Sequence, residues 1–296
     1  MLAPRTLLYG PSKIGKTVAA CAAAHHGLMI AAPGALAPAQ THLGIPADKL
    51  NIRHADTLSD VLKVLAVESK KKHPAIYVDD LSLAIKREQA GVKIDWRKFD
   101  GSLNDLGKFA TESMHNGVPF LITAHEQPER ASSGKYVRGG PQLPGQAPEG
   151  FSGSIDVVLR GVSDETMQPW PFVVWSRSRK SWVAGDRLAI FPDMGPLNIA
   201  QGLRCSGIDI PYPEAWMTKA VTQWSGAIKE AGVSEWKNVV RAGFVKLAGK
   251  FDARYLKWAA IDALHQVVFE QRRNDPMAWL DGIGSTEPGL TDMVVG

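Results

Sequence analysis

The chain predicts an α/β fold: a mostly parallel sheet flanked by helices, followed by a small helical region. Three observations carry this. First, the apolar run Thr6-Leu7-Leu8-Tyr9 passes through Gly10-Pro11-Ser12-Lys13-Ile14-Gly15-Lys16-Thr17 into the alanine-rich Val18 to His26, a strand, a glycine-bearing loop and a helix in sequence. Second, the apolar runs Ile76-Tyr77-Val78 and Phe120-Leu121-Ile122 each end in polar residues, as strands do at the ligand-binding edge of an open α/β sheet. Third, beyond about Cys205 the apolar spacing is helical throughout. With 296 residues, 45% of them hydrophobic, the chain can form one large domain and an appendage. We expect a core domain over 1–205, a helical region over 206–273 and an acidic, mobile tail over 274–296.

The loop Gly10 to Thr17 has the spacing of a P-loop. A triphosphate is held there by backbone N–H groups, so the chain must approach the phosphates closely and release its last amides at a helix N-terminus. Gly10 and Gly15 permit that geometry, and Pro11 presets the turn. Lys16 meets the β- and γ-phosphates, and Thr17 offers its hydroxyl to Mg²⁺. The nucleotide-binding residues expected are therefore Gly10, Pro11, Ser12, Lys13, Ile14, Gly15, Lys16 and Thr17, with Lys13 a solvated loop lysine or an extra phosphate contact. Gly27 reads as the C-cap of the first helix.

Leu28 to Ala32 reads as a buried strand, Ile52 to Ala55 as another, and Leu58 to Lys72 as a helix with the lysine run Lys70-Lys71-Lys72 at its end. Pro74 to Asp80 is a Walker B pattern, an apolar strand delivering acids at its C-terminal edge. Asp79 is the Mg²⁺ partner of Thr17; Asp80 is either the acid that polarises the attacking water or the N-cap of a helix over Ser82 to Gln89. Lys86 to Gly101, with Lys93, Trp96, Arg97 and Lys98, reads as a basic loop around an aromatic, suited to a nucleic-acid strand, or as a plain surface loop. A helix is predicted over Ser102 to Gly117 with Leu103, Leu106, Phe109, Ala110 and Met114 on one face.

The strand Val118 to Ala124 leads to His125 and Glu126. Thr123 and His125 are γ-phosphate sensor candidates, His125 the better placed; a packing and capping role is the alternative for the histidine. Gln127 to Phe151 is a long Gly/Pro/Ser-rich loop carrying Arg130, Lys135, Tyr136 and Arg138. Strands follow at Ile155 to Arg160, Phe172 to Arg177 and Ser181 to Ala184, the last two a possible hairpin, and then Gly185-Asp186-Arg187. Helices are expected over Tyr212 to Ala231, Ser234 to Lys250 with Ser234 as N-cap, and Asp252 to Arg273, where Tyr255, Trp258, Ile261, Leu264 and Val268 form a core stripe.

A net charge of +4 and a pI near 9.0 suit a polyanion partner without requiring one. The two cysteines, Cys21 and Cys205, lack metal-ligand spacing and read as buried or idle thiols. No apolar run reaches membrane-spanning length and no signal peptide precedes the first strand, so a soluble, cytoplasmic protein is expected.

The succession of P-loop, Walker B strand, basic loop, helix, sensor strand, long Gly/Pro loop and a segment ending in Asp186-Arg187 resembles the RecA-like ATPase core. More narrowly, Leu8-Tyr9-Gly10-Pro11, Gly15-Lys16-Thr17, Thr123-Ala124-His125, Gly140-Pro141-Gln142-Leu143-Pro144-Gly145 and Trp182 to Arg187 look like the phage-encoded RecA-like proteins of single-strand annealing and recombination. The resemblance covers about the first two-thirds of the chain. It implies ATP and Mg²⁺ as cofactors, a homo-oligomeric ring or filament, and single-stranded DNA held by the loops at Lys86 to Gly101 and Arg130 to Gly145. It also implies that Arg187 reaches a neighbour's ATP site. In that family a catalytic Glu ends the second strand, where this chain has Ala31-Ala32-Pro33. Either Asp80 or Glu126 then serves as base, or ATP acts chiefly as an assembly switch. A phage DNA motor, packaging or helicase-like ATPase and a nucleotide-switched scaffold are the alternatives, and the acidic tail, with no basic residue after Arg273, is a candidate protein-binding segment.

Overall fold

Strand β1 (Arg5–Gly10) is buried on both faces, as are β2 (Leu28–Ala31) and β4 (Ile76–Asp79). This is why each reads as an unbroken apolar run and not as an alternation. With β3 (Asn51–His54), β5 (Phe120–Gln127), β9 (Val157–Ser163) and β10 (Phe172–Trp175), they form a sheet ordered β3-β2-β4-β5-β1-β9-β10 in the computed structural model. All pairings from β3 through β9 are parallel, and β10 is antiparallel to β9. The P-loop strand and the Walker B strand are thus separated by β5, the strand that carries His125. This is the α/β fold expected, a mostly parallel sheet flanked by helices. The structure describes residues 3–24, 27–37, 40, 50–90, 96–127, 130–132, 135–137, 140–143, 155–163, 172–175, 185–186, 203–204, 208–212, 214–251 and, within 255–270, positions 255, 256, 259, 260, 262–264, 266, 267 and 270.

The helices fill the crossovers. α1 (Lys16–Ala23) follows the P-loop, α2 (Leu58–Glu68) is capped by Thr57, α3 (Leu81–Glu88) by Asp80, and α4 (Trp96–His115) leads to β5. Leu58, Val61, Leu65, Leu81, Ile85, Phe99, Leu103, Leu106 and Ala110 meet the apolar faces of β1, β2, β4 and β5 in one core. Gly117 turns the chain out of α4 with φ 72°, as the sequence predicted for a C-cap.

Three local expectations are corrected. α1 ends at Ala23, and Gly27 is not its cap; a Cβ there would lie 2.7 Å from the Tyr77 ring and 2.8 Å from the Ala75 carbonyl oxygen, so the glycine serves close packing. α4 begins at Trp96 and not at Ser102, because burial of Phe99 beside Leu103 and Leu106 outweighs the roughly 1 kcal/mol that Gly101 costs within a helix. The basic stretch Lys86 to Gly101 is therefore mostly helix: Lys86 and Arg87 lie in α3, and Trp96, Arg97 and Lys98 form the first turn of α4. β10 and β11 (Gly185–Asp186) both add antiparallel to the edge of β9 away from β1. The segment 181–184, expected to form a hairpin with the strand from Phe172, lies outside the described residues.

The predicted long loop after β5 contains structure. β6 (Arg130–Ser132) and β7 (Lys135–Val137) pair antiparallel as a two-stranded arm, and β8 (Gly140–Pro141) returns to pair with Glu126 and Gln127.

The chain divides into two compact units, 1–203 with 207–210, and 204–206 with 211–296. In the second, α5 (Ala215–Ala231) turns through Gly232 and a short 3-10 segment, Val233–Glu235, into α6 (Trp236–Leu247). Ser234 lies inside that segment and is not the N-cap of α6. Trp216 stacks on Phe251 with ring centroids 4.3 Å apart. The described residues within 255–270 are helical, with Leu256, Ala259, Ala260, Ala263, Leu264 and Val267 buried. Asp262, fully buried, is held by Arg204 at 2.9 and 3.0 Å, and the Arg204 guanidinium lies 4.0 Å from the Tyr212 ring centre. Trp258, Ile261 and Val268 of the expected stripe and the tail beyond 270 lie outside the described residues.

Candidate nucleotide-binding site

The P-loop bends where the sequence permits it. Gly15 sits at φ 96° immediately before α1, and Lys13 adopts φ 65° at the exposed tip. Gly15 has no side chain to cap α1, so the first amides of the helix have no side-chain acceptor and stand where phosphate oxygens bind in P-loops. Gly10 matters for a second reason: a Cβ on it would lie 2.8 Å from the Gly161 carbonyl oxygen of β9. Gly161 in turn lies under Ile14, so the loop is pressed onto the sheet through two glycines. Gly161 escaped notice in the sequence, although a glycine inside a strand run signals close backbone approach.

Lys16 is buried, and its ammonium donates to the carbonyls of Gly10 at 3.0 Å and Pro11 at 2.8 Å. Burial lowers its pKa, while the charges of Asp80, Asp79 and Glu126 oppose that. Thr17 and Asp79 are brought together across α1 and β4: the Thr17 hydroxyl donates at 3.0 and 3.2 Å to the two carboxylate oxygens. Thr123, expected as a sensor, donates to Asp79 Oδ1 at 2.6 Å instead, inside the core. Burial pushes the Asp79 carboxyl up to about 6; the Thr123 hydrogen bond works against this and the neighbouring Asp80 adds to it. A buried carboxylate whose direct partners among the described residues are two hydroxyls is a donor set that fits a hard divalent cation. The chain's residues thus fit Mg²⁺ at Thr17 and Asp79, and phosphate at Lys16 and the loop amides.

Asp80 follows Asp79 through a cis peptide bond. Its Oδ1 accepts from the Leu83 amide at 3.2 Å, capping α3, and its Oδ2 lies 3.2 Å from His125 Nε2. Burial raises its pKa; the hydrogen bond from Leu83, the charge of Lys16 and the Ser82 amide hold it down. His125 is pushed toward its neutral form, first by burial and then by the Lys16 charge. His125 and Glu126 both stand at the end of β5, paired in register with the end of β1: Gly10 opposes His125. The described structure therefore gathers Lys16, Thr17, Asp79, Asp80, Thr123, His125 and Glu126 at one edge of the sheet.

The other expected residues are placed less fully. Trp96, Arg97 and Lys98 open α4, Arg130 is in β6, and Lys135 and Tyr136 are in β7. Lys93, Arg138 and Arg187 lie outside the described residues. Arg5 holds Asp156 through both carboxylate oxygens, at 2.9 and 2.8 Å. Cys21 is fully buried, its thiol pushed up to about 12 by burial, as expected of an idle cysteine; Cys205 lies outside the described residues. Among the described residues no helix is long and apolar enough to cross a membrane.

No family model and no curated protein matches the chain. Among solved structures it is similar to one described as the crystal structure of the RadB recombinase. The two share 14% identity over 55% of this chain and 77% of that one, with a TM-score of 0.37, a likeness too slight to bear on function.

Proposed function

We propose that the chain is an ATPase that binds ATP with Mg²⁺ between the P-loop and the ends of β4 and β5, and assembles as a homo-oligomer on single-stranded DNA in recombination, annealing or replication. The observation that carries the nucleotide reading is the convergence of buried Lys16 with the Thr17–Asp79 pair beneath an uncapped helix N-terminus. Bound Mg²⁺ would supply charge neutralisation for the β- and γ-phosphates. The chain's own residues do the rest: loop amides and Lys16 hold the phosphates, Thr17 and Asp79 hold the metal, and His125, pushed toward its neutral form and facing Asp80, reads the γ-phosphate.

The DNA reading is supported by placement. The arm β6–β7 grows from the end of β5 beside the nucleotide site. α4 is 20 residues long, about 30 Å, and ends just before β5 begins, which carries its first turn toward the opposite edge of the sheet, where β4 ends. Arg130, Lys135, Tyr136, Trp96, Arg97 and Lys98 therefore belong to segments that start near the ATP site.

One observation favours a second reading, a nucleotide-switched scaffold with little turnover. β2 ends in buried Ala31 and Ala32 with no acid, and Asp80 is engaged as a helix cap.

The experiment that tests the nucleotide reading is titration of a fluorescent ATP analogue with Mg²⁺ into wild type and Lys16→Ala. Binding is expected to fall by at least tenfold in the variant, since the lysine compensates phosphate charge at close range. Equal affinity would overturn the assignment.

A further inference from the structure

We infer that Ser82 is a positioning residue that couples the nucleotide site to the β6–β7 arm; this rests on the nucleotide reading above. Ser82 is buried in the first turn of α3. Its hydroxyl accepts from the His125 backbone N–H at 2.9 Å and donates to the Gln142 carbonyl at 3.0 Å. The Gln142 N–H donates to the His125 carbonyl at 2.7 Å. The N–H and C=O of one strand residue point to the same side of the strand. Ser82 and Gln142 therefore hold the same edge of β5 at His125.

That edge is the one β4 has just left. β4 pairs with β5 only as far as Val78 opposite Ile122, then turns at Asp80 into α3. Past that point the Ser82 hydroxyl takes the first place in the ladder, and β8 takes the next, with Pro141 opposite Glu126 and Gly140 opposite Gln127. The arm is thus clamped at its root by a three-way junction of α3, the end of β5 and the return strand. The same His125 whose backbone sits in this junction turns its imidazole to Asp80, two residues before Ser82 in the chain.

A shift of the β5 end at His125 on nucleotide binding carries its backbone N–H and C=O with it. The N–H is tied through the Ser82 hydroxyl to α3 and to the Gln142 carbonyl, and the C=O is tied to the Gln142 amide, so the shift is delivered to the base of the arm. An ordinary surface serine would not do this; the hydroxyl is needed because it must accept from one partner and donate to another at once. Alanine leaves the His125 N–H and the Gln142 carbonyl each short of a partner.

Hydrogen exchange of amides in 128–141 with and without a slowly hydrolysed ATP analogue and Mg²⁺ tests this, with analogue affinity measured alongside. Wild type is expected to show slowing of exchange in the arm by about tenfold on nucleotide binding, the worth of one well-made hydrogen bond. Ser82→Ala should keep analogue affinity within about twofold while losing that slowing, and Ser82→Thr, which retains a hydroxyl, should restore it. Ser82→Cys keeps nearly the same volume but bonds weakly, and should behave as alanine does even if the alanine variant folds poorly. A nucleotide response in Ser82→Ala or Ser82→Cys equal to wild type overturns the coupling role, as does a wild-type arm indifferent to nucleotide that is bound. Failure of wild type to bind the analogue at all would instead overturn the nucleotide reading.

Discussion

Asp80 has two claims on it, as the N-cap of α3 and, in the proposed ATPase, as a candidate for the acid that polarises the attacking water, and its two carboxylate oxygens face different partners. Oδ1 serves the Leu83 amide, while Oδ2 faces His125. A general base must lie within hydrogen-bond reach of the water it activates, and at this edge Glu126 is the other candidate for that role. Asp80→Asn should retain ATP binding and lose most turnover, about 100-fold or more, if the carboxylate is the base. Normal hydrolysis in that variant together with failure of Glu126→Gln transfers the role to Glu126, and indifference to both favours the scaffold reading. Steady-state phosphate release with saturating ATP distinguishes the three. Gly10 offers a second residue-scale test: the Cβ of Gly10→Ala would meet the Gly161 oxygen at 2.8 Å, a backbone atom that cannot swing away. That variant should lose about 1 to 3 kcal/mol of stability and weaken nucleotide binding, read by chemical denaturation with and without ATP analogue.

At the scale of elements, buried Glu68 at the end of α2 gathers Arg53 of β3 at 2.8 Å, Lys71 at 2.8 Å and His73 at 2.9 Å. It ties the edge strand to the helix that covers it and to the approach to β4. Burial alone would raise its pKa; the hydrogen bonds from Lys71, Arg53 and His73 win and hold it down to about 2, against an ordinary value of 4.5. A depressed carboxylate stabilises the fold at pH above its unfolded pKa and loses that contribution as pH falls through the folded one. Glu68→Gln should therefore cost about 1 to 3 kcal/mol near neutral pH, and its deficit relative to wild type should shrink between about pH 4.5 and pH 2. Urea denaturation across that range checks it; a deficit independent of pH would contradict the ionic role. In the second unit, α5 and α6 approach so closely that a Cβ on Gly243 would lie 2.1 Å from Trp224 Nε1. Gly243→Ala must rotate a mostly buried indole or part the helices, a loss of about 1 to 3 kcal/mol visible as a lowered Tm.

For the whole molecule the open quantity is assembly. If Arg187 reaches a neighbour's ATP site, Arg187→Ala should leave ATP binding intact but lower the activity that depends on oligomerisation. An equimolar mixture of Arg187→Ala and Lys16→Ala chains should recover part of it, since some interfaces then pair an intact P-loop with an intact arginine. No recovery in the mixture would place the arginine within its own subunit. Single-stranded DNA binding should strengthen with ATP analogue, weaken steeply with salt, and fall on Trp96→Ala or on joint neutralisation of Lys135 and Arg138. Each stacking aromatic is worth about 1 to 3 kcal/mol and each phosphate contact adds to the salt slope. Affinity unmoved by nucleotide or by these changes would leave the scaffold as the better reading.

Local chemistry made much of this legible beforehand. The P-loop, the acids ending β4 and the polar end of β5 are contiguous in the chain, and runs buried on both faces announce their strands without reference to anything distant. The proximity of Thr17 and Asp79 was legible from motif spacing, the cap was one of two readings open for Asp80, and Gly117 read as a helix end. What needed the tertiary structure was every feature set by partners far away in sequence. Gly27 and Gly161 answer to backbones across the sheet, α4 begins early because Phe99 finds a core, and Thr123 binds Asp79 because β5 is inserted beside β4. β10 and β11 both add to β9, a partner set by which sheet edge is vacant. Ser82 is the clearest case: nothing in its neighbourhood distinguishes it from a serine in any first helical turn. Its position became significant only when the strand of His125 and the return of Gln142 were folded against it, from 43 and 60 residues away.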